Sequence, residues 1–150
     1  MPVSSLTSVA DMRIEQRGLL RADQPLRGTA IVVRGGPDTA EKLRRHAQRT
    51  ARAWSLDGRP LLGISVFAVL EVTLEDLLAR RFATFRMVYL PTAGQLAERG
   101  FELLATGRQP HYTVRLSRAD EQELQALVQA LGPAQRNLQY GRKSPWRKEG

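Results

Sequence analysis

The sequence predicts one mixed domain of the α+β (or α/β) class, with about five strands in one sheet and about four helices. Three features point there. Short β-branched runs bounded by Gly or Pro alternate with stretches of helical spacing. The helical stretches carry their own start and stop signals. A chain of 150 residues is long enough to bury one core.

Residues 1–27 lack clear periodicity and read as an arm. "TAIVV" at 29–33 is the first strand, bounded by Gly28 and the pair Gly35-Gly36. "GGPDTAE" then opens a helix, with Asp38 and Glu41 at capping-box spacing, that runs to about Trp54. "LLGISVFAVL" at 61–70 is continuously apolar and reads as a strand buried on both faces. Thr73 caps the next helix, and Arg80 and Arg81 fall in its last turn, where the dipole favours cations. "FATFRMVYL" at 82–90 is the third strand, and "PTAGQLAERG" is a short helix closed by Gly100. "FELLAT" and "HYTVRL" flank "GRQP" as a hairpin or adjacent strands. "SRADEQELQALVQALGP" is the clearest helix, capped by Ser117, striped by Leu124, Leu127, Val128 and Leu131, and stopped by Gly132-Pro133. The globular part is thus 28–133. Residues 134–150 form a tail, flexible or docked at the edge, in which Arg136, Arg142, Lys143, Arg147 and Lys148 face only Glu149.

The charge is the strongest global signal. Lys and Arg number 23 against 15 acids, a net +8, and the isoelectric point is near 10.9. Such a balance suits a polyanionic partner: nucleic acid, an acidic protein or an anionic membrane surface. The chain has no cysteine, which excludes disulfides, thiol catalysis and cysteine-ligated metal. No apolar run approaches the ~20 residues that cross a bilayer. The first residues show no basic stretch leading into an apolar core, so no secretory signal is expected. The expectation is a cytoplasmic protein without a membrane partner. Two histidines far apart, with no acid at ligand spacing, give no metal site, and no cofactor motif is present.

The residues able to carry chemistry are few. In "HYTVRL", strand alternation puts Tyr112, Val114 and Leu116 on the core face and His111, Thr113 and Arg115 on the polar face. An imidazole beside a hydroxyl and a guanidinium can move protons and hold a phosphate, so His111 is the candidate catalytic residue, assisted by Thr113, Arg115 and Arg34. "VVRGGPDTAE" runs a strand through Gly35 and Gly36 into a helix N-terminus, with Arg34 at its mouth, a potential phosphate site. On the helix "AEKLRRHAQRTARAW", Lys42, Arg45, Arg49 and Arg52 cluster opposite the apolar stripe, with His46 at their edge. That face can lie along a phosphate backbone. In the tail, Tyr140 and Trp146 stand among Arg142, Lys143, Arg147 and Lys148, a mixture suited to single-stranded nucleic acid.

Together these features predict a small basic protein that binds nucleic acid, RNA rather than duplex DNA, with His111 as an acid/base on that RNA. A small toxin or defence protein fits the description. A non-catalytic module that binds an acidic protein partner is an alternative.

Two resemblances add to this. "PHYT" resembles half of the signature of two-histidine phosphoesterases, which carry two H-x-T or H-x-S motifs on strands. His46, in "RRHAQRT", supplies no second motif. The segment from Arg34 is similar to the first motif of ADP-ribosyltransferases, an Arg-Gly at the end of a first strand, followed by a helix and a second strand with a serine. The resemblance implies that Arg34-Gly35 supplies the arginine and "GISVF" supplies Ser65. It further implies a catalytic glutamate at the start of a late strand. That strand begins with His111-Tyr112 here, and Glu102 is the nearest acid.

Overall fold

The computed structural model describes residues 20, 25–36 and 38–142. Most of the N-terminal arm lies outside them, as do Lys143, Trp146, Arg147 and Lys148 of the tail.

β1 (Val32–Gly35) is followed by helix α1 (Ala40–Ala53). A small hairpin of β2 (Ser55–Leu56) and β3 (Arg59–Pro60) leads to β4 (Gly63–Ala68), α2 (Leu74–Arg81) and β5 (Met87–Tyr89). Then come α3 (Ala93–Glu98), β6 (Glu102–Ala105), β7 (His111–Arg115), α4 (Glu121–Leu131) and β8 (Gln135–Arg136). Six strands form one sheet in the order β6-β7-β4-β1-β5-β8, and every described pairing is antiparallel.

The sheet is covered on both faces, although an antiparallel sheet can leave one to water. On one side Val32, Ile64, Val66, Tyr112 and Val114 pack against Leu43 and Ala47 of α1, Leu96 of α3, and Leu124 and Leu127 of α4. On the other, Val33 and Val88 pack against Leu77 and Leu78 of α2 and against Phe82.

Several expectations change in detail. The helix caps differ. Thr39 starts α1, its side chain accepting from the Lys42 N–H, and Asp38 is released to pair with Arg34. Asp120 starts α4. Ser117 does not cap it; its N–H donates to the Glu123 carboxylate, as do those of Arg118 and Ala119. Of the predicted strand 82–90 only Met87–Tyr89 is extended, because Asn137 holds 82–86 as a loop. The hairpin β2-β3 and strand β8 bring the strand total above the expected five.

One feature of the sheet builds the site. β1 pairs with β4 through Val32↔Ala68 and Val33↔Phe67, and there the pairing stops. From Arg34 onward β1 pairs with β5 instead, Arg34↔Tyr89 and Gly35↔Val88. The edge of β4 is therefore open at Ser65, whose backbone N–H and C=O would go unpaired without side chains to meet them.

Candidate functional site

Arg34 and His46 meet that open edge. Arg34 Nη1 donates to the Ser65 carbonyl at 3.1 Å, and the Ser65 N–H donates to His46 Nε2 at 3.3 Å. Arg34 reaches inward because it faces α1, on the same side as Val32. It is fixed there by Asp38, Nε to Oδ2 at 2.9 Å, with side chains only 14% and 6% exposed. The Asp38 N–H in turn donates to the Tyr89 hydroxyl.

On the other side of Ser65 stands His111, the first residue of β7, paired through β4 with Phe67. Its Nδ1 lies 3.1 Å from the Thr106 carbonyl, an acceptor only, so in the neutral ring Nδ1 carries the proton. Nε2 then keeps its lone pair and accepts from the Ser65 hydroxyl at 3.0 Å. Thr106 Oγ1 is 3.0 Å from the same Nδ1 and 2.7 Å from Thr113 Oγ1. Trp54 and Phe67 hold the imidazole edge-to-face, with ring centroids at 5.3 and 5.2 Å. Both histidines of the chain thus touch Ser65, one through its backbone and one through its hydroxyl.

His46 also shapes the charge of the site. Its Nδ1 lies 3.3 Å from Arg49 Nη2 and 3.5 Å from Arg34 Nη2. A neutral imidazole has one lone pair, and here Ser65 takes it. Nδ1–H and the two guanidinium groups then form a group of three N–H donors, which suits an oxyanion. Burial, and then the positive charges of Arg34 and Arg49, push the His46 imidazole down to about 4, so it is neutral at pH 7.

Beside it lies an open cleft of about 400 Å³, lined by Arg34, Gly35, Gly36, Asp38, Lys42, Arg45, His46, Arg49 and Phe85. Gly35 lets the Phe85 ring lie close: a β-carbon on it would stand 2.9 Å from that ring and push it aside. Asp38 is tied to Arg34 and Glu41 to Arg45, and among the described residues no acid pairs with Lys42 or Arg49, which add positive charge to the cleft. Among the described residues no cluster of three or more possible metal ligands occurs.

The sequence-predicted residues separate accordingly. Arg34 and His111 share the neighbourhood of Ser65, and Gly35, Gly36, Lys42, Arg45 and Arg49 line the cleft. Arg52 is exposed but is not part of the cleft lining. Thr113 is fully buried, and the face it shares with His111 is covered rather than open to solvent. Arg115 is four residues along β7 from His111, about 13 Å at ~3.3 Å per residue, and pairs with Glu102 at 3.3 Å. Neither Thr113 nor Arg115 is placed to hold a phosphate at His111. Sequence reasoning singled out neither Thr106, Trp54 nor Asp38 for the site. The Asp38–Arg34 spacing of four was its one available sign.

Comparison with family models, with curated proteins and with solved structures finds no match, so the site is read from its own geometry. That geometry defines an antiparallel α+β domain with an arginine, a serine and two histidines gathered where its central strands part. No helix among the described residues is long and apolar enough to cross a membrane.

Proposed function

We propose that the protein is an enzyme similar to ADP-ribosyltransferases, taking a dinucleotide donor such as NAD+ beside β1 and α1. One observation carries this reading: Arg34, Ser65 and His111, from three separate strands, converge within 3.1 Å contacts on Ser65. The resemblance asks for an arginine at the end of a first strand, a serine on a second and an acid opening a late one. Arg34-Gly35 ends β1, Ser65 lies on its neighbour β4, and His111 opens β7. Glu102 is bound to Arg115 instead, so the position of the acid falls to His111.

A neutral imidazole hydrogen-bonded to a serine hydroxyl can contact a ribose hydroxyl and take a proton from an acceptor. The diphosphate of the donor suits Arg34, Arg49 and the Nδ1–H of His46. In transfer, the bond from ribose to nicotinamide breaks with its electron pair on nicotinamide. The acceptor atom bonds to the ribose carbon, and its proton passes to His111 Nε2. The test is nicotinamide release from NAD+, followed by chromatography with and without added RNA. Release should fall about 100-fold or more in His111→Gln, the usual scale for a lost acid/base. Equal release by the variant would remove His111 from the chemistry.

A second reading, RNA binding, is favoured by the basic wall: Lys42, Arg45 and Arg49 project from one face of α1 into the cleft that Arg34 lines. Its test is an affinity for RNA that falls steeply with salt.

A further inference from the structure

Away from Ser65, the surface carries an aromatic and basic strip. Phe85 is 38% exposed, Tyr140 is 44% exposed, and Leu138, two residues before Tyr140, is 73% exposed. The Arg86 guanidinium lies 5.1 Å from the Tyr140 ring centroid, and its Nε donates to the Tyr140 hydroxyl at 3.3 Å. Arg136 on the edge strand β8 and Arg142 are exposed beside them. The two segments that form the strip, 82–92 and 132–142, contain no Asp or Glu at all.

The strip is held rigidly. Asn137, 3% exposed, donates through Nδ2 to the carbonyls of Phe82 and Phe85 at 2.8 and 2.9 Å. Its backbone N–H donates to the Arg86 carbonyl, and the Gly141 N–H to that of Ala83. The strip also runs into the cleft, because Phe85 lines both.

We infer that Phe85 and Tyr140 stack the bases of a single-stranded nucleic acid whose phosphates meet Arg86, Arg136 and the cleft arginines. The inference rests on the RNA-binding reading and adds to it a site and a strandedness. Exposed flat rings among cations, on two segments without an acidic residue, match bases and phosphates in alternation. A duplex hides its bases and offers such rings nothing to stack on. An acidic protein would use the cations but not the rings.

The experiment is fluorescence anisotropy of a labelled single-stranded oligouridine, and of an RNA duplex of equal length, with the full chain. The variants are the double Phe85→Ala/Tyr140→Ala and the single Tyr140→Phe, with folding checked by circular dichroism. The expected result is single-strand binding weakened about 10-fold or more in the double variant, and retained in Tyr140→Phe. The salt slope of the double variant should be unchanged, since no charge is removed. Equal affinity of the wild type and the double variant for the single strand would overturn the strip and leave RNA binding intact. Preference for the duplex would do the same. No RNA binding, with binding of polyglutamate instead, would overturn both and assign the charge to an acidic protein partner.

Discussion

At the scale of single residues, His46 shows how position sets chemistry. A histidine on a basic helix face invites reading as one more cation. Turned toward the open edge of β4, it instead accepts from the Ser65 N–H, and it does so only while neutral. Its folded pKa, about 4, lies below the unfolded value of 6.5. Between those values the unfolded chain binds the proton and the folded chain does not, so stability rises with pH there. The contribution is fully present above pH 6.5 and is lost as pH falls toward 4. Urea denaturation at pH 7 and pH 5 should therefore show a loss at the lower pH that is smaller in His46→Gln, whose amide oxygen can still accept. The His46 ring resonances should hold still in an NMR titration from pH 7.5 down to 5.5. Movement centred near the ordinary histidine value would mean that the imidazole does not take the Ser65 proton.

At the scale of elements, the helices were the most legible parts. The stripe Leu124–Leu127–Leu131, the Thr73 cap and the Gly132 stop all appear as spacing predicts. Caps that depend on a choice between nearby oxygens were not legible: Thr39 caps α1 while Asp38 pairs with Arg34, and Asp120 caps α4 while the Ser117 N–H donates to Glu123. Asp57-Gly58 carries the signal of a two-residue hairpin, and both residues adopt positive φ, 54° and 79°. Strands of two residues are too short for periodicity to reveal. Strand β8 and the loop 82–86 depend on Asn137, whose role exists only once residues 55 and 52 positions away are beside it. Asn137→Ala leaves two carbonyls without their donor in or near the core, at a cost of about 1–3 kcal/mol for each buried unsatisfied group. Thermal denaturation should show a clear fall in Tm. A fall no larger than that of an exposed substitution such as Gln122→Ala would contradict this joint.

For the whole molecule, the order β6-β7-β4-β1-β5-β8 was beyond reach of the sequence, because local patterns say nothing about which strands become neighbours. That order makes the site. It puts Ser65 between two residues far from it in the chain, Arg34 and His111, and it parts β1 from β4 where they meet. The charge of +8 was legible from composition and the basic face of α1 from helical spacing, but the joining of 82–86 to 136–142 in one strip was not. In the reading proposed above, Arg34, Ser65 and His111 form one dinucleotide site. Calorimetric titration of NAD+ into the full chain and into Ser65→Ala tests it most directly. The expected result is saturable one-site binding by the wild type, weakened about 10-fold or more in the variant. Absence of binding by the wild type, or equal binding by the variant, would contradict it.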